Sequence, residues 1–143
     1  MNTQAPISTI MSKKLITVLE DDAVSKVQDI FAHNEIHHVL VTDVNEKLKG
    51  IISKQDLLRL AVVLNPGVKN EEGRYTHLKA LRASEIMTPN PMTLEPEDTI
   101  GLAADIFLTN QFHALPVVEG EMLVGIITTH DLLRFSFDLI HAS

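Results

Sequence analysis

Residues 125–134 read Gly-Ile-Ile-Thr-Thr-His-Asp-Leu-Leu-Arg, and the fold of this chain can be predicted outward from them. Its two isoleucines predict a buried strand, and Thr128, followed three positions later by Asp131, predicts a helix that begins at once. An earlier copy at residues 50–59 reads Gly-Ile-Ile-Ser-Lys-Gln-Asp-Leu-Leu-Arg, with Ser53 and Asp56 at the same spacing. In both copies the hydroxyl and the carboxylate could cap the helix or hold a ligand.

These two stretches belong to a longer repeat. An offset of 76 residues aligns His37 with His113, and the offset becomes 75 after one residue is lost at a predicted hairpin turn. A period this long predicts two tandem modules rather than a solenoid. We therefore assign residues 1–64 to the first repeat, 65–82 to a charged and polar linker, and 83–143 to the second repeat.

Each repeat predicts the element order strand, helix, strand, strand, helix. The first strands are expected at residues 15–18 and 91–94, and Asp22 or Asp98 is expected to open the helix that follows. A hairpin and a second helix then complete a small mixed sheet, which places the fold in the α+β class. Since one copy alone would hide little surface, we expect the two copies to pack about a pseudo-twofold axis.

Composition excludes several classes of protein. A formal net charge of -7 argues against nucleic acid as the main partner, because phosphate neutralisation needs clustered basic side chains. The chain has no cysteine, and hence no disulfide, thiolate metal site or cysteine nucleophile. The N-terminus lacks the pattern of a signal peptide, and the apolar stretches are too short to span a bilayer. We expect a cytoplasmic protein that does not bind membranes.

The repeated hydroxyl and carboxylate favour two compatible roles. Capping boxes are common at helix starts, and on that ground alone capping is the better interpretation. However, both copies keep glycine, two isoleucines, a hydroxyl and aspartate in one register, which capping does not require. A helix N-terminus can also receive a phosphate, and a carboxylate one turn into the helix can accept the hydroxyls of a ribose.

The duplicated module resembles a pair of cystathionine β-synthase (CBS) domains, also called a Bateman module. The resemblance covers residues 7–141 and rests on Ile-Met turns, on His-Ala-Leu-Pro-Val-Val at 113–118 and on Gly-Ile-Ile-Thr-Thr-His-Asp-Leu-Leu at 125–133. It implies a regulatory module without a cofactor that binds AMP, ADP, ATP or S-adenosylmethionine in clefts between the copies and signals by a conformational change. It also implies a homodimer. The alternative is a dimerisation or assembly module for an unknown protein partner, with no ligand.

The resemblance also implies the roles of individual residues. Thr128 would contact a phosphate and Asp131 the ribose hydroxyls, with Ser53 and Asp56 as their first-copy counterparts. The base would lie against strand edges formed by two groups of residues, Met92, Phe112 and Ala114 in the second copy, and Ile16, Ile36 and His38 in the first. Because His38 is bulkier than Ala114, we expect the stronger site in the second copy.

Two further patterns do not predict chemistry. His33, His37 and His38 are close in sequence, but no nearby carboxylate completes a coordination sphere, so we predict no metal site. His130 and Asp131 are adjacent, yet no serine or cysteine occupies a nucleophile elbow, so we predict no catalytic residue and no enzyme.

The arginines that follow Asp-Leu-Leu in each copy could pair with carboxylates of the other copy or reach a phosphate. The apolar last helix favours a dimer.

Overall fold

The structure is a computed structural model that describes residues 2–64, 67 and 78–142, with side chains up to residue 138. It divides into two compact units. The continuous unit is Ile16–Pro91, and the split unit combines Met1–Leu15 with Met92–Ser143. Most of the predicted linker, at 65–82, lies outside the described residues.

The continuous unit contains a four-stranded sheet. Its strands, in spatial order, are β1 (Thr17–Leu19), β2 (His38–Thr42), β3 (Leu48–Ser53) and β4 (Thr88–Pro89). β1 runs parallel to β2, whereas the β2–β3 and β3–β4 pairs are antiparallel, which is the mixed sheet that the sequence predicts. A short 3-10 turn at Leu78–Ala80, within the predicted linker, also belongs to this unit. The helices described in this unit are α1 (Val24–His33), α2 (Lys54–Leu64) and α3 (Ala83–Ile86).

One apolar stripe on α1 holds this unit together. Val24, Val27 and Phe31 recur at helical spacing and are buried against strand residues such as Val39 and Ile52. The β2–β3 hairpin turns at Asp43, whose Oδ1 accepts the backbone N–H groups two and four residues ahead at 2.8 and 3.0 Å. These contacts fix the register in which β3 runs into α2.

The split unit is built on an antiparallel pair of strands, β5 (Ala114–Glu119) and β6 (Met122–Thr128). The β5–β6 hairpin turns at Gly120, where φ is +64°, a backbone conformation that glycine adopts without strain. A 3-10 turn at Ile7–Thr9 precedes the long gap in sequence that separates the two parts of the unit. The α-helices of this unit are α4 (Ile100–Thr109) and α5 (Thr129–Ala142).

In each unit, the segment that opens one sequence repeat packs on the other repeat. The N–H of Ile7 donates to the carbonyl of Asp98 at 2.8 Å, and in the same register the N–H of Ala83 donates to the carbonyl of Asp22 at 2.8 Å. Ile7 is fully buried in the core of the split unit. The compact units therefore differ from the sequence segments 1–64 and 83–143, because short edge segments are exchanged between the repeats.

Edge pairing repeats this exchange. Ser12 forms a bridge with Ile126 on β6, and β4 pairs with Gly50 and Ile51 on β3. A methionine lies over the glycine at each junction, and a Cβ added to Gly125 would come within 2.6 Å of the Met11 sulfur. A methyl group at either glycine would therefore displace the methionine side chain, so glycine favours this crossing of the exchanged segment over the strand.

The α+β fold class is confirmed, and two local predictions are wrong. Asp22 and Asp98 do not cap the helices; each carboxylate instead accepts a backbone N–H three residues earlier, at 2.7 Å, and so closes a turn. The cap of α4 is Thr99, one residue later. The strand predicted at 91–94 is reduced to a single parallel bridge between Leu94 and Val117.

Candidate functional site

The second-copy motif forms a complete capping box. Thr128 is the last residue of β6, and α5 begins at the next residue. The Asp131 N–H donates to Thr128 Oγ1 at 3.1 Å, and the Thr128 N–H donates to Asp131 Oδ2 at 2.9 Å. Both side chains are half-buried. Since Thr128 Oγ1 already accepts a hydrogen bond, its O–H can donate outward, and Asp131 Oδ1 can accept a further donor.

Strand pairing places a small residue beside this box. Ala114 on β5 is the register partner of Thr128, and the carbonyl of His113 accepts the N–H of Thr129 at 3.0 Å. The N–H groups of Thr129 and Asp131 are thus used within the protein. Within the described part of the chain, the N–H of His130 has no such hydrogen bond. A free N–H between a hydroxyl and a carboxylate is a suitable donor for an anion.

The first-copy motif is half of a capping box. The Asp56 N–H donates to Ser53 Oγ at 2.9 Å, but Asp56 turns toward Arg59, whose Nη1 lies 3.2 Å from Asp56 Oδ1. This ion pair is exposed, with 67% of the Arg59 side chain and 60% of the Asp56 side chain open to solvent. The sequence did not predict this pair, although its i,i+3 spacing on one helix is a known signal for it.

The surroundings of the first-copy motif are also bulkier. His38 on β2 is the register partner of Ser53, where the second copy has alanine. The carbonyl of His37 accepts the N–H of Lys54 at 2.9 Å, which matches the second copy. Ile36 packs against the core of the continuous unit, whereas its counterpart Phe112 is exposed. The two motifs therefore share a backbone and differ in their side chains.

The structure brings together some of the predicted site residues directly. Ala114, Thr128 and Asp131 form one group within the split unit, and the residues His38, Ser53 and Asp56 form the matching group within the continuous unit. Phe112 lies two residues before the start of β5, and Ile16 lies immediately before β1. Met92 is exposed two residues before the bridge residue Leu94. Met92 belongs to the split unit, as the second-copy motif does, and Ile16 belongs to the continuous unit, as the first-copy motif does.

Asp22 and Asp43, two aspartates in turns, have a lowered pKa. The backbone N–H of Leu19 lowers the pKa of Asp22, assisted by Lys26. The backbone N–H of Lys47 lowers the pKa of Asp43 in the β2–β3 turn. Both shifts come from hydrogen bonds to the ionised carboxylate, so these groups stabilise turns.

The described residues contain no group of three or more histidine, aspartate or glutamate side chains that could hold a metal ion. In the same ranges, every buried side-chain nitrogen or oxygen atom has a hydrogen-bond partner. At the end of α1, the His33 Nδ1–H donates a 2.8 Å hydrogen bond to the carbonyl of Asp29. Among the helices described, none has the length and apolar character needed to cross a bilayer.

Comparison with known proteins decides the family. The model of the CBS domain matches residues 7–63 and again residues 83–138. The chain belongs to the CBS domain family. A CBS domain-containing protein of Dictyostelium discoideum is 34% identical over 128 residues, which cover 89% of this chain and 88% of that protein. The chain spans only 32% of an uncharacterized protein of Methanocaldococcus jannaschii and 23% of a homoserine O-acetyltransferase of Methanohalobium evestigatum.

Solved structures of CBS-pair proteins share this fold. CBSX2 from Arabidopsis thaliana superimposes with a TM-score of 0.82 at 23% identity, covering 97% of this chain and 99% of that chain. CBSX2 has also been solved in complex with AMP. The CBS domain pair of protein MJ0100, solved with 5'-methylthioadenosine and S-adenosyl-L-methionine, gives a TM-score of 0.76 at 23% identity and covers 94% and 97% of the two chains.

Proposed function

We propose that this chain is a regulatory CBS pair that binds an adenosine-containing ligand at the Thr128–Asp131 motif. The carrying observation is the reciprocal hydrogen bonding of these two residues, which fixes a hydroxyl, a free N–H and a carboxylate at the start of one helix. A phosphate would accept from the Thr128 hydroxyl and the His130 N–H, and Asp131 would accept the ribose hydroxyls. No chemical step is required of any residue.

The ligands of related proteins support this class of ligand. CBSX2 holds AMP, and the MJ0100 pair holds two other adenosine compounds. The base would rest against Ala114, whose small side chain leaves room, and against exposed Phe112 and Met92, which could contact an aromatic base. In the first copy, Ile16, Ile36 and His38 would take the equivalent positions, with Ser53 and Asp56 as polar contacts.

The experiment is a thermal-shift titration with AMP, ADP, ATP, S-adenosylmethionine and adenosine. A ligand that binds only the native state, present at 100 times its Kd, adds about 2.7 kcal/mol to the free energy of unfolding. For a chain of this size that corresponds to a rise in melting temperature of roughly 8 °C. If none of these compounds raises the melting temperature of the folded protein, the proposal is wrong.

The site assignment is tested with matched substitutions. Asp131→Ala removes a charged acceptor, so we expect AMP affinity to fall about 10- to 100-fold. Asp56→Ala should cause a smaller loss, because the Asp56 carboxylate is shared with Arg59. Asp131→Asn keeps an acceptor for the Thr128 N–H and separates loss of the cap from loss of the charge. Equal losses for the two alanine variants would contradict our ranking of the sites.

The second candidate function is a ligand-independent dimerisation or assembly module. It is favoured by exposed apolar side chains on the helices that follow each motif, Val63 on α2 at 67% and Leu133 on α5 at 68% exposure. We propose that these faces form a homodimer, which Val63→Glu or Leu133→Glu would convert to monomer in light scattering. Leu108→Glu, at an 86% exposed position on α4, is the control that should leave the mass unchanged. A monomeric wild-type protein would contradict this.

We also propose that the chain is not an enzyme, and that a protein partner carries the output. The enzyme names among its relatives belong to proteins of which this chain spans a minor part, such as the homoserine O-acetyltransferase at 23%. Release of phosphate from ATP by the purified chain, lost in Asp131→Ala, would contradict this. The cytoplasmic location predicted from the sequence stays a prediction, to be tested by cell fractionation.

A further inference from the structure

We infer that the Arg59–Asp56 ion pair makes the first-copy site selective for adenosine ligands that carry a phosphate, whereas the second-copy site accepts adenosine with or without one. This inference rests on the proposed function, because it concerns how two adenosine sites differ. In both motifs a hydroxyl caps the helix, and the first helical residue donates its N–H to the carbonyl of the residue just before the paired strand, His37 or His113. The difference in ligand class therefore has to come from side chains.

Arg59 competes with a ribose for Asp56. The two vicinal hydroxyls of a ribose are both donors, and a carboxylate receives them best when both of its oxygens are available. In the first copy, Arg59 Nη1 lies 3.2 Å from Asp56 Oδ1, so one oxygen already has a cationic partner. An uncharged nucleoside offers Arg59 nothing in exchange. Its binding must displace or weaken the ion pair without compensation.

A phosphate on the ligand removes this penalty. Guanidinium groups bind phosphate in a bidentate manner, and a dianionic phosphate attracts Arg59 more strongly than a single carboxylate does. When the phosphate lies at the start of α2, next to Ser53, Arg59 can transfer to it and leave Asp56 to the ribose. The first residue of α2 is Lys54, whose exposed ammonium adds a second positive charge near the same helix start.

The second copy has no such competition. Among the described residues, the donor to Asp131 Oδ2 is the neutral backbone N–H of Thr128, at 2.9 Å. Arg134 is the counterpart of Arg59, yet within the described residues it makes no ion pair with Asp131. The first residue of α5 is Thr129 rather than a lysine. A ribose can therefore bind Asp131 without moving a cation, and the phosphate adds less selectivity.

The test measures adenosine and AMP affinity by calorimetry at each site separately. The Asp131→Ala background reports the first site, and the Asp56→Ala background reports the second. At the first site, we expect AMP to bind at least about 10-fold more tightly than adenosine. Adding Arg59→Ala should raise adenosine affinity about 2- to 5-fold and lower AMP affinity, so that the AMP preference largely disappears. Arg59→Lys keeps the charge without the bidentate geometry and should give an intermediate preference.

Arg134→Ala in the Asp56→Ala background is the matched control, and it should leave adenosine affinity unchanged. Arg59 is exposed, so its removal should not unfold the protein, and Asp131→Asn replaces Asp131→Ala if the alanine variant is unstable. Three results would overturn the inference: equal affinity for the two ligands at the first site, no AMP binding there, or equal loss of both ligands in Arg59→Ala. If wild-type protein binds neither ligand and none of the other adenosine compounds raises its melting temperature, the proposed function itself is wrong and the inference fails with it.

Discussion

Replacing Ile7 by alanine should weaken the second sequence repeat rather than the first, in which residue 7 lies. Ile7 is fully buried and packs with Ile100, Leu115 and Ile127 in the core of the split unit. The substitution removes three carbon atoms, which accounts for about 2.4 kcal/mol of transfer free energy at about 0.8 kcal/mol per carbon. The cavity that remains adds to this, and we expect a total loss of about 3 to 4 kcal/mol.

The assay is amide hydrogen exchange, which reports the opening of individual segments. Protection should fall for amides of β5 and β6, such as Val118 and Ile127, more than for amides of β2 and β3. Leu78→Ala is the reciprocal variant, because Leu78 is fully buried in the continuous unit although it belongs to the predicted linker. Val44→Ala, at an exposed turn position, is the neutral control. A larger loss in β2 and β3 for Ile7→Ala would refute the exchange of segments, and equal losses would show that the units open together.

Two further predictions concern the turns and the edge pairing. The Leu19 N–H lowers the pKa of Asp22 below its ordinary value of 3.8. This contact therefore stabilises the fold above about pH 4, and the stabilisation is lost as pH falls through the lowered pKa. Between these limits the free energy of unfolding of Asp22→Asn should fall less with decreasing pH than that of wild type. Unchanged acid unfolding would contradict this role. Gly125→Ala would bring a methyl group against Met11, and urea unfolding should show a loss of about 1 to 3 kcal/mol; a neutral effect would mean that the exchanged edge is not held as described.

Local patterns were sufficient to predict the elements and the motif. Alternating and helical periodicity located both hairpins and the four long helices of the described residues, and the spacing of Thr128 and Asp131 predicted the capping box that the structure contains. These features depend on residues within a few positions of one another. The first strand of the second repeat was overestimated, because its residues pair at one position only, Leu94 with Val117.

The exchange of segments could not be predicted from the same patterns. The apolar character of Ile7 shows that it is buried, but it does not show in which core. That choice depends on backbone pairing between residues far apart in sequence, such as Ser12 with Ile126, which a single sequence does not reveal. The aspartates before α1 and α4 were misassigned for a related reason. Their carboxylates can close a preceding turn or cap the following helix, and the turn contact prevails at both.

The divergence of the two motifs separates the structural role from the proposed ligand role. Capping needs only one accepted N–H, and Ser53 still provides it at 2.9 Å after Asp56 has turned to Arg59. If capping were the whole role of the motif, the second copy would have no need of a half-buried carboxylate with an oxygen left open. Asp131 retains that open oxygen beside Ala114. The second motif therefore offers a hydrogen-bond acceptor beyond the one that closes the capping box, and the proposed ligand site uses that acceptor.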